Sequence, residues 1–284
     1  MLVSFSYRDR HSLVERVDPR ARWIFSILLL FAITMFWDIR FLLFFLALTM
    51  GQYFLARLTW RETRRAWAFV FFIMSTMVVV NTLITSSGTI GDVMEGGHVV
   101  FEFTFPFFGW TFSLTVERLW FALTQVVRIL AISSLFIVIP FTMNPRQYGI
   151  TFRGLGLPDR LAYTFDLAFR FVPTLGRDFQ ITLDAQRARG YEVEKLQGGL
   201  LAQIRKMAPL VVPVTMNAIL SGEDITNAMD LRCFGLQRRT WAEYLRYHPW
   251  DFIVIGLSIF LLLASILLSV LGYGEFWMPA FLIP

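Results

Sequence analysis

The stretch WIFSILLLFAITMFWDIRFLLFFLALTMGQYFLA, from Trp23 to Ala56, decides the architecture. A membrane crossing needs about 20 apolar residues. This stretch is too long for one, and Asp38-Ile39-Arg40 divides it into two runs, 23–37 and 41–56. Charge decides between one crossing and two. Cytoplasmic flanks collect Lys and Arg, and both ends are basic, with Arg8, Arg10, Arg16, Arg20 and Arg22 before the stretch and Arg57, Arg61, Arg64 and Arg65 after it. A single span would leave one cluster outside, whereas a hairpin turning at Asp38 puts both inside. The first run ends at Phe36-Trp37-Asp38 with no small residues at a cleavage-like position, so it reads as a retained span.

Composition agrees. Of 284 residues, 56% are hydrophobic, 30 are Phe, and only 17% are charged. The net charge of +5 is not spread as a nucleic-acid footprint would be; the charges are blocked between apolar runs, as membrane topology requires. Three further runs of spanning length follow, at 66–84, 119–139 and 252–271. The segment from Thr85 to Thr115 has no Lys or Arg but carries Asp92, Glu95 and Glu102, which makes it external. Phe141 to Tyr247 holds 14 of the 26 basic residues, which makes it internal. The expected fold is all-α, a polytopic membrane protein with about five transmembrane helices. Residues 1–140 form four N-terminal spans, 141–247 a cytoplasmic module of amphipathic helices, and 248–284 the last span and an external tail. The N-terminus is cytoplasmic, the C-terminus external, and Trp250 and Trp277 are interfacial anchors. The apolar stretch from Ala208 to Gly222, interrupted by Pro209 and Pro213, is short for a span and reads as interfacial or buried.

Within the internal block, Leu161, Phe165, Ala168, Phe169, Val172, Leu175, Phe179 and Leu183 recur at helical spacing. Arg170, Arg177 and Asp184 lie on the opposite side, and Asp166 stands four residues before Arg170, the spacing of a supporting ion pair. Pro173 is expected to end or kink this element, giving two helices at an angle. Gly156-Leu157-Pro158-Asp159 supplies a turn and a cap candidate ahead of it. The element closes with Asp184, Arg187, Ala188, Arg189 and Gly190; a second, from Val214, closes with Asp230, Arg232 and, three residues on, Gly235. Arginine at a helix C-terminus is favoured by the dipole in any protein. Two long amphipathic helices that both end in Arg near Gly suggest more, because the planar guanidinium fork grips carboxylates or carbonyls in a partner's groove.

At these residues the chain resembles the transmembrane coupling subunit, or T component, of energy-coupling factor transporters. Ala188-Arg189-Gly190 is similar to the first Ala-Arg-Gly signature of that family. Ala228-Met229-Asp230-Leu231-Arg232-Cys233-Phe234 resembles the frame of the second, with Leu231 and Cys233 where Ala and Gly are usual. Val17-Asp18-Pro19-Arg20, Gly156-Leu157-Pro158 and Phe169-Arg170-Phe171-Val172-Pro173 extend the similarity over most of the chain. The resemblance implies a non-catalytic subunit of an importer in the cell inner membrane. Its partners would be two cytoplasmic ABC ATPase subunits, docked on Arg189 and Arg232, and a membrane-embedded S component that binds the vitamin or metal ion. ATP would be bound by the partner subunits, and no cofactor by this chain.

An enzyme finds no constellation here. His11, His98 and His248 are far apart, no phosphate-binding Gly-rich loop ending in Lys-Ser or Lys-Thr occurs, and no His or carboxylate points to Cys233 as a nucleophile. His98 reads as a loop residue, not a metal ligand. A self-contained secondary transporter or channel is the alternative, but the inverted repeats and matched broken spans of such folds are not visible. Arg128 stands mid-span, where a charge is costly. It is open to two readings: a contact with the S component or an interior ion pair, and an arginine snorkelling within the bundle. The segment from Phe101 to Phe105 alternates apolar and polar, as a short strand or an interface-dipping loop does.

Overall fold

The computed structural model describes residues 10, 12–84, 99–105, 110–191, 200–236, 244–275, 277 and 279. Asp92, Glu95, His11, His98, Arg238 and Arg239 lie outside them. The chain forms two compact units: one is Pro145–Leu245, the other Ser6–Asn144 together with Arg246–Pro284.

In the second unit the run from Trp23 to Ala56 is a helical hairpin. After a single turn, α1 (Leu13–Arg16), come α2 (Pro19–Thr34) and α3 (Ile39–Leu55). The break between the two runs is a capping signal. Asp38 caps α3 by accepting the Arg40 N–H at 2.9 Å, and its carboxylate also holds the Arg40 guanidinium at 2.7 Å. Asp18 does the same for α2, accepting the Arg20 N–H at 2.8 Å and the guanidinium at 2.9 Å. An Asp at the cap satisfies an orphan N–H and complements the helix dipole. Both helices therefore start on an Asp-x-Arg signal.

The remaining helices are α4 (Trp60–Ile84), α5 (Val116–Thr142) and, at the end of the chain, α9 (Pro249–Val270). Among the described residues, three helical segments are long and apolar enough to cross a membrane: Trp60–Val80, Leu119–Thr142 and Pro249–Val270; Ile39–Leu55 is apolar but shorter. With 16 and 17 residues, α2 and α3 are about 24 and 26 Å long, less than the ~30 Å hydrocarbon core. Between α4 and α5, β1 (Val99–Phe105) pairs antiparallel with β2 (Trp110–Thr115), Phe103 opposite Phe112. Alternation at 101–105 thus makes a strand, and the all-α fold carries one hairpin.

Helix α5 is central and packs against α2, α3 and α4. Phe25, Leu29, Ile33 and Phe36 meet Leu42 and Phe45 of α3 and Val127, Ala131 and Leu135 of α5. A second cluster joins Tyr53, Trp67, Val70 and Met74 to Ile137, Val138 and Phe141. Helix α9 is apolar outside and polar inside: Phe252, Ile253, Leu257, Phe260 and Leu267 are exposed, while Asp251, Ser258 and Ser265 are buried at seven-residue steps. Small residues let membrane helices approach closely, and α9 packs on α2.

Asp251 fastens the start of that contact. One carboxylate oxygen accepts the Asp18 N–H at 2.8 Å and the other the His248 N–H at 2.6 Å. The N-termini of α2 and α9 thus share one buried anion. Beside it, Arg20 lies over the Tyr247 ring at 3.8 Å, and Arg22 donates to the Thr142 carbonyl at 2.9 Å, tying α2 to the end of α5.

The first unit contains a short 3-10 turn (Pro145–Gln147), α6 (Tyr148–Gly154), α7 (Asp159–Ala188) and α8 (Leu200–Leu231). Pro173 does not divide α7, contrary to the expectation of two helices; the element is one helix, contacted ahead of the proline by Tyr148 on Phe169 and beyond it by α8, whose Pro209 carbonyl accepts from Gln186. Helix α8 begins at Leu200, not Val214, and runs through Pro209 and Pro213, so Ala208 to Gly222 is the middle of one long helix. Proline removes one helical hydrogen bond and crowds the preceding turn, a loss that tertiary contacts can offset. The cap residue of α7 is Pro158, and Asp159, in the first turn, accepts from Arg153 Nε at 2.6 Å.

Asp166 forms no ion pair with Arg170. It faces α6 instead, where a Cβ on Gly149 would stand 2.7 Å from the Asp166 Cβ and 2.8 Å from the Ala162 carbonyl. Gly149 is what lets α6 lie on α7, with Tyr148 stacked on Phe169 at 4.7 Å.

Candidate functional site

The predicted docking residues gather at two helix ends of the first unit. Ala188 is the last residue of α7 and Arg189 its C-cap. Gly190 follows at φ +82, its N–H bonded to the Arg187 carbonyl at 2.9 Å, and the Tyr191 N–H reaches the Gln186 carbonyl at 3.0 Å. This is a Schellman ending, which requires a left-handed residue immediately after the cap. Arg189 is exposed. Arg187 pairs with Asp184 at 3.6 Å on the open surface, where such pairs contribute little. Arg170 is exposed further back on the helix.

Helix α8 ends in the same geometry. Arg232 follows Leu231, the last helical residue, and stands where Arg189 stands. The Cys233 N–H reaches the Asp230 carbonyl at 2.9 Å, and the Phe234 N–H the Met229 carbonyl at 2.9 Å. The left-handed position is occupied by Cys233, at φ +54. Gly235, expected as the terminating glycine, has a positive φ of +89 but lies two residues beyond the position that closes the helix. Arg232 and Cys233 are exposed, and Leu231 beside them is 88% exposed.

A side chain with a Cβ costs about 1 kcal/mol in the left-handed region. No neighbour would meet a Cβ at Gly190 within 4 Å, so the glycine is there for backbone conformation alone. Cys233→Gly is expected to raise the stability of the α8 ending by about 1 kcal/mol, and Gly190→Ala to lower that of α7 by a similar amount. Thermal unfolding of the purified chain in detergent measures both.

The two ends belong to antiparallel helices. Gln186 Nε2 near the end of α7 donates to the Pro209 carbonyl in α8 at 3.2 Å. Near the start of α7, Tyr163 packs on Phe234 with ring centroids 4.7 Å apart and donates weakly to the Met229 sulfur at 3.9 Å. At about 1.5 Å per residue, the arginines stand on the order of 40 Å apart, at opposite ends of the pair. Gln186 and Tyr163 are the residues that the pattern did not single out; Cys233, which stands where glycine is usual, holds the left-handed position.

Arg128 belongs to the other unit. Thr124, Gln125 and Ser134 of its helix are buried, so this face looks inward. Its guanidinium donates to the Phe36 carbonyl, lies over the Trp37 ring at 4.3 Å and reaches Gln125 Oε1 at 3.4 Å. Among the described residues it makes no ion pair. Side chains lean toward the N-terminus of their helix, and the short α2–α3 hairpin turns at the depth this arginine can reach. Nearby, the Trp37 backbone N–H donates to the Gly274 carbonyl at 2.9 Å, Trp120 Nε1 donates to the Trp277 carbonyl at 2.9 Å, and Arg40 lies over the Trp277 ring at 4.0 Å. A buried backbone carbonyl must find a partner within the protein, and Arg128 supplies one at buried Phe36.

Apolar helices of spanning length define a polytopic α-helical membrane protein, and a second helical unit carries an exposed arginine at the end of each of its two long helices. A model of the cobalt transport protein family, CbiQ, matches residues 10–242. The energy-coupling factor transporter transmembrane protein EcfT of Lactobacillus helveticus is 26% identical over 277 residues, 92% of this chain and 91% of its own. The protein of the same description from Ruminiclostridium cellulolyticum is 22% identical over 265 residues, 89% of this chain and 91% of its own. A putative ABC transporter ATP-binding protein of Bifidobacterium longum is 25% identical over 241 residues, 81% of this chain but 29% of its own length. The chain belongs to the cobalt transport protein family, the transmembrane components of energy-coupling factor transporters.

Proposed function

We propose that this chain couples two cytoplasmic ATP-binding subunits to a membrane-embedded substrate-binding S component, with Arg189 and Arg232 as the two docking points. The observation that carries this reading is the repetition of one ending: each arginine is the cap residue of a long helix, held by the same pair of backbone hydrogen bonds, at opposite ends of an antiparallel pair. Anchors on rigid termini move as their helices move. The similarity to part of a protein described as ATP-binding supports the choice of partner.

In this reading ATP is held by the partners and none by this chain. The N-terminus and the arginine-bearing unit face the cytoplasm, and the C-terminus faces out. Closure of the ATPase pair displaces α7 and α8, and the S component reorients. The chain transmits only the difference in contact energy between open and closed pairs. Gentle detergent purification tests it. ATP-binding chains and a small hydrophobic membrane protein should accompany this chain, with ATP hydrolysis in the complex and none in the isolated subunit. Purification alone from a host expressing all of them would contradict it.

A further inference from the structure

A proline at position i removes the N–H that would reach the carbonyl of residue i−4. Pro213 therefore leaves the Pro209 carbonyl without its donor inside α8, and this is the carbonyl that accepts Gln186 Nε2 at 3.2 Å. The backbone carbonyl of Gln186 meanwhile accepts the Tyr191 N–H at 3.0 Å, one of the two bonds that close the ending around Arg189. One residue is thus bound into the first arginine's helix end and into the proline-interrupted middle of the helix that carries the second.

We propose that Gln186 is a positioning residue: by supplying the donor that Pro213 removes, it fastens the Arg189 end of α7 to α8, so that displacement of either arginine is shared by both helices. The inference rests on the docking reading for its purpose, but the strut itself is a property of this chain. A proline interruption is where a helix can bend, and a side chain attached there restrains that bending. The chemistry required is a donor of glutamine's reach. Glutamate, equal in shape but acceptor-only when ionised, does not provide it; lysine does.

The test places spin labels at exposed Ile181 and Asn227, each replaced by Cys in a Cys233→Ser background, in the complex with its ATP-binding chains in lipid nanodiscs. The interspin distance distribution is expected to be narrow with Gln186, at least about twice as wide in Gln186→Glu, and narrow again in Gln186→Lys. In a Pro213→Ala background, where α8 regains its own donor, Gln186→Glu is expected to add no further broadening. An unchanged width in Gln186→Glu, or equal broadening in Gln186→Lys, would overturn the proposal. Copurification of the ATP-binding chains is recorded for every form. Its absence from all forms, the unsubstituted one included, refutes docking, while the widths measured on this chain still decide the strut.

Discussion

Replacing Arg189 and Arg232 together by glutamate is expected to reduce retention of the ATP-binding chains about 100-fold or more. Truncating one partner of a desolvated, hydrogen-bonded charge pair across an interface costs about 2–5 kcal/mol, and every 1.4 kcal/mol is tenfold in affinity. Reversal adds repulsion to that loss. Both anchors sit on one unit, so each raises the effective concentration of the other; Arg189→Glu or Arg232→Glu alone should leave a weaker but measurable complex. Each guanidinium is exposed and each ending is closed by backbone hydrogen bonds, so the double variant should fold and unfold only slightly below the unsubstituted protein, by the ~0.3–1 kcal/mol that a cation contributes at each helix C-terminus. Titration of immobilised chain with purified ATP-binding subunits gives the affinities, and a melting curve gives the control.

The second large effect is on stability. Asp251→Ala is expected to cost about 3–5 kcal/mol, because the Asp18 and His248 N–H groups lose their acceptor, and each buried group left unsatisfied costs roughly 1–3 kcal/mol. The carboxylate is 1% exposed, so water does not replace it readily. Asp251→Asn retains one acceptor oxygen and should cost about half as much. Unfolding in mixed detergent micelles, followed by helical circular dichroism, ranks the three proteins; equal midpoints would contradict this role for Asp251.

Much of the membrane unit was legible because burial and charge act on whole segments. Asp38 marked the turn through the arginines on either side, and the same residue proved to be the cap that starts α3. The arginine-bearing unit is less legible, for local reasons. Pro173, Pro209 and Pro213 carry strong helix-breaking signals, but whether a helix continues depends on contacts from elsewhere in the fold, such as Gln186 on the Pro209 carbonyl. Gly235 drew attention because glycine suits a left-handed backbone, yet the position of the ending is set by where the α8 hydrogen bonds run out, at Cys233. Asp166 has ion-pair spacing to Arg170 but is turned toward Gly149 by the crossing of α6. Asp251 carries a legible signal of its own: a carboxylate at the head of an apolar run, in step with Ser258 and Ser265 at sevens, marks an inward-facing stripe.

The central claim is that both arginine-bearing ends touch ATP-binding chains at once. Photo-crosslinking amino acids at Ala188 and Leu231, exposed neighbours of Arg189 and Arg232, test it in intact membranes. Each position alone is expected to capture one ATP-binding chain, and both together two on a single copy of this protein. Crosslinks from either end to lipid alone, with the ATP-binding chains present and unmodified, would contradict it.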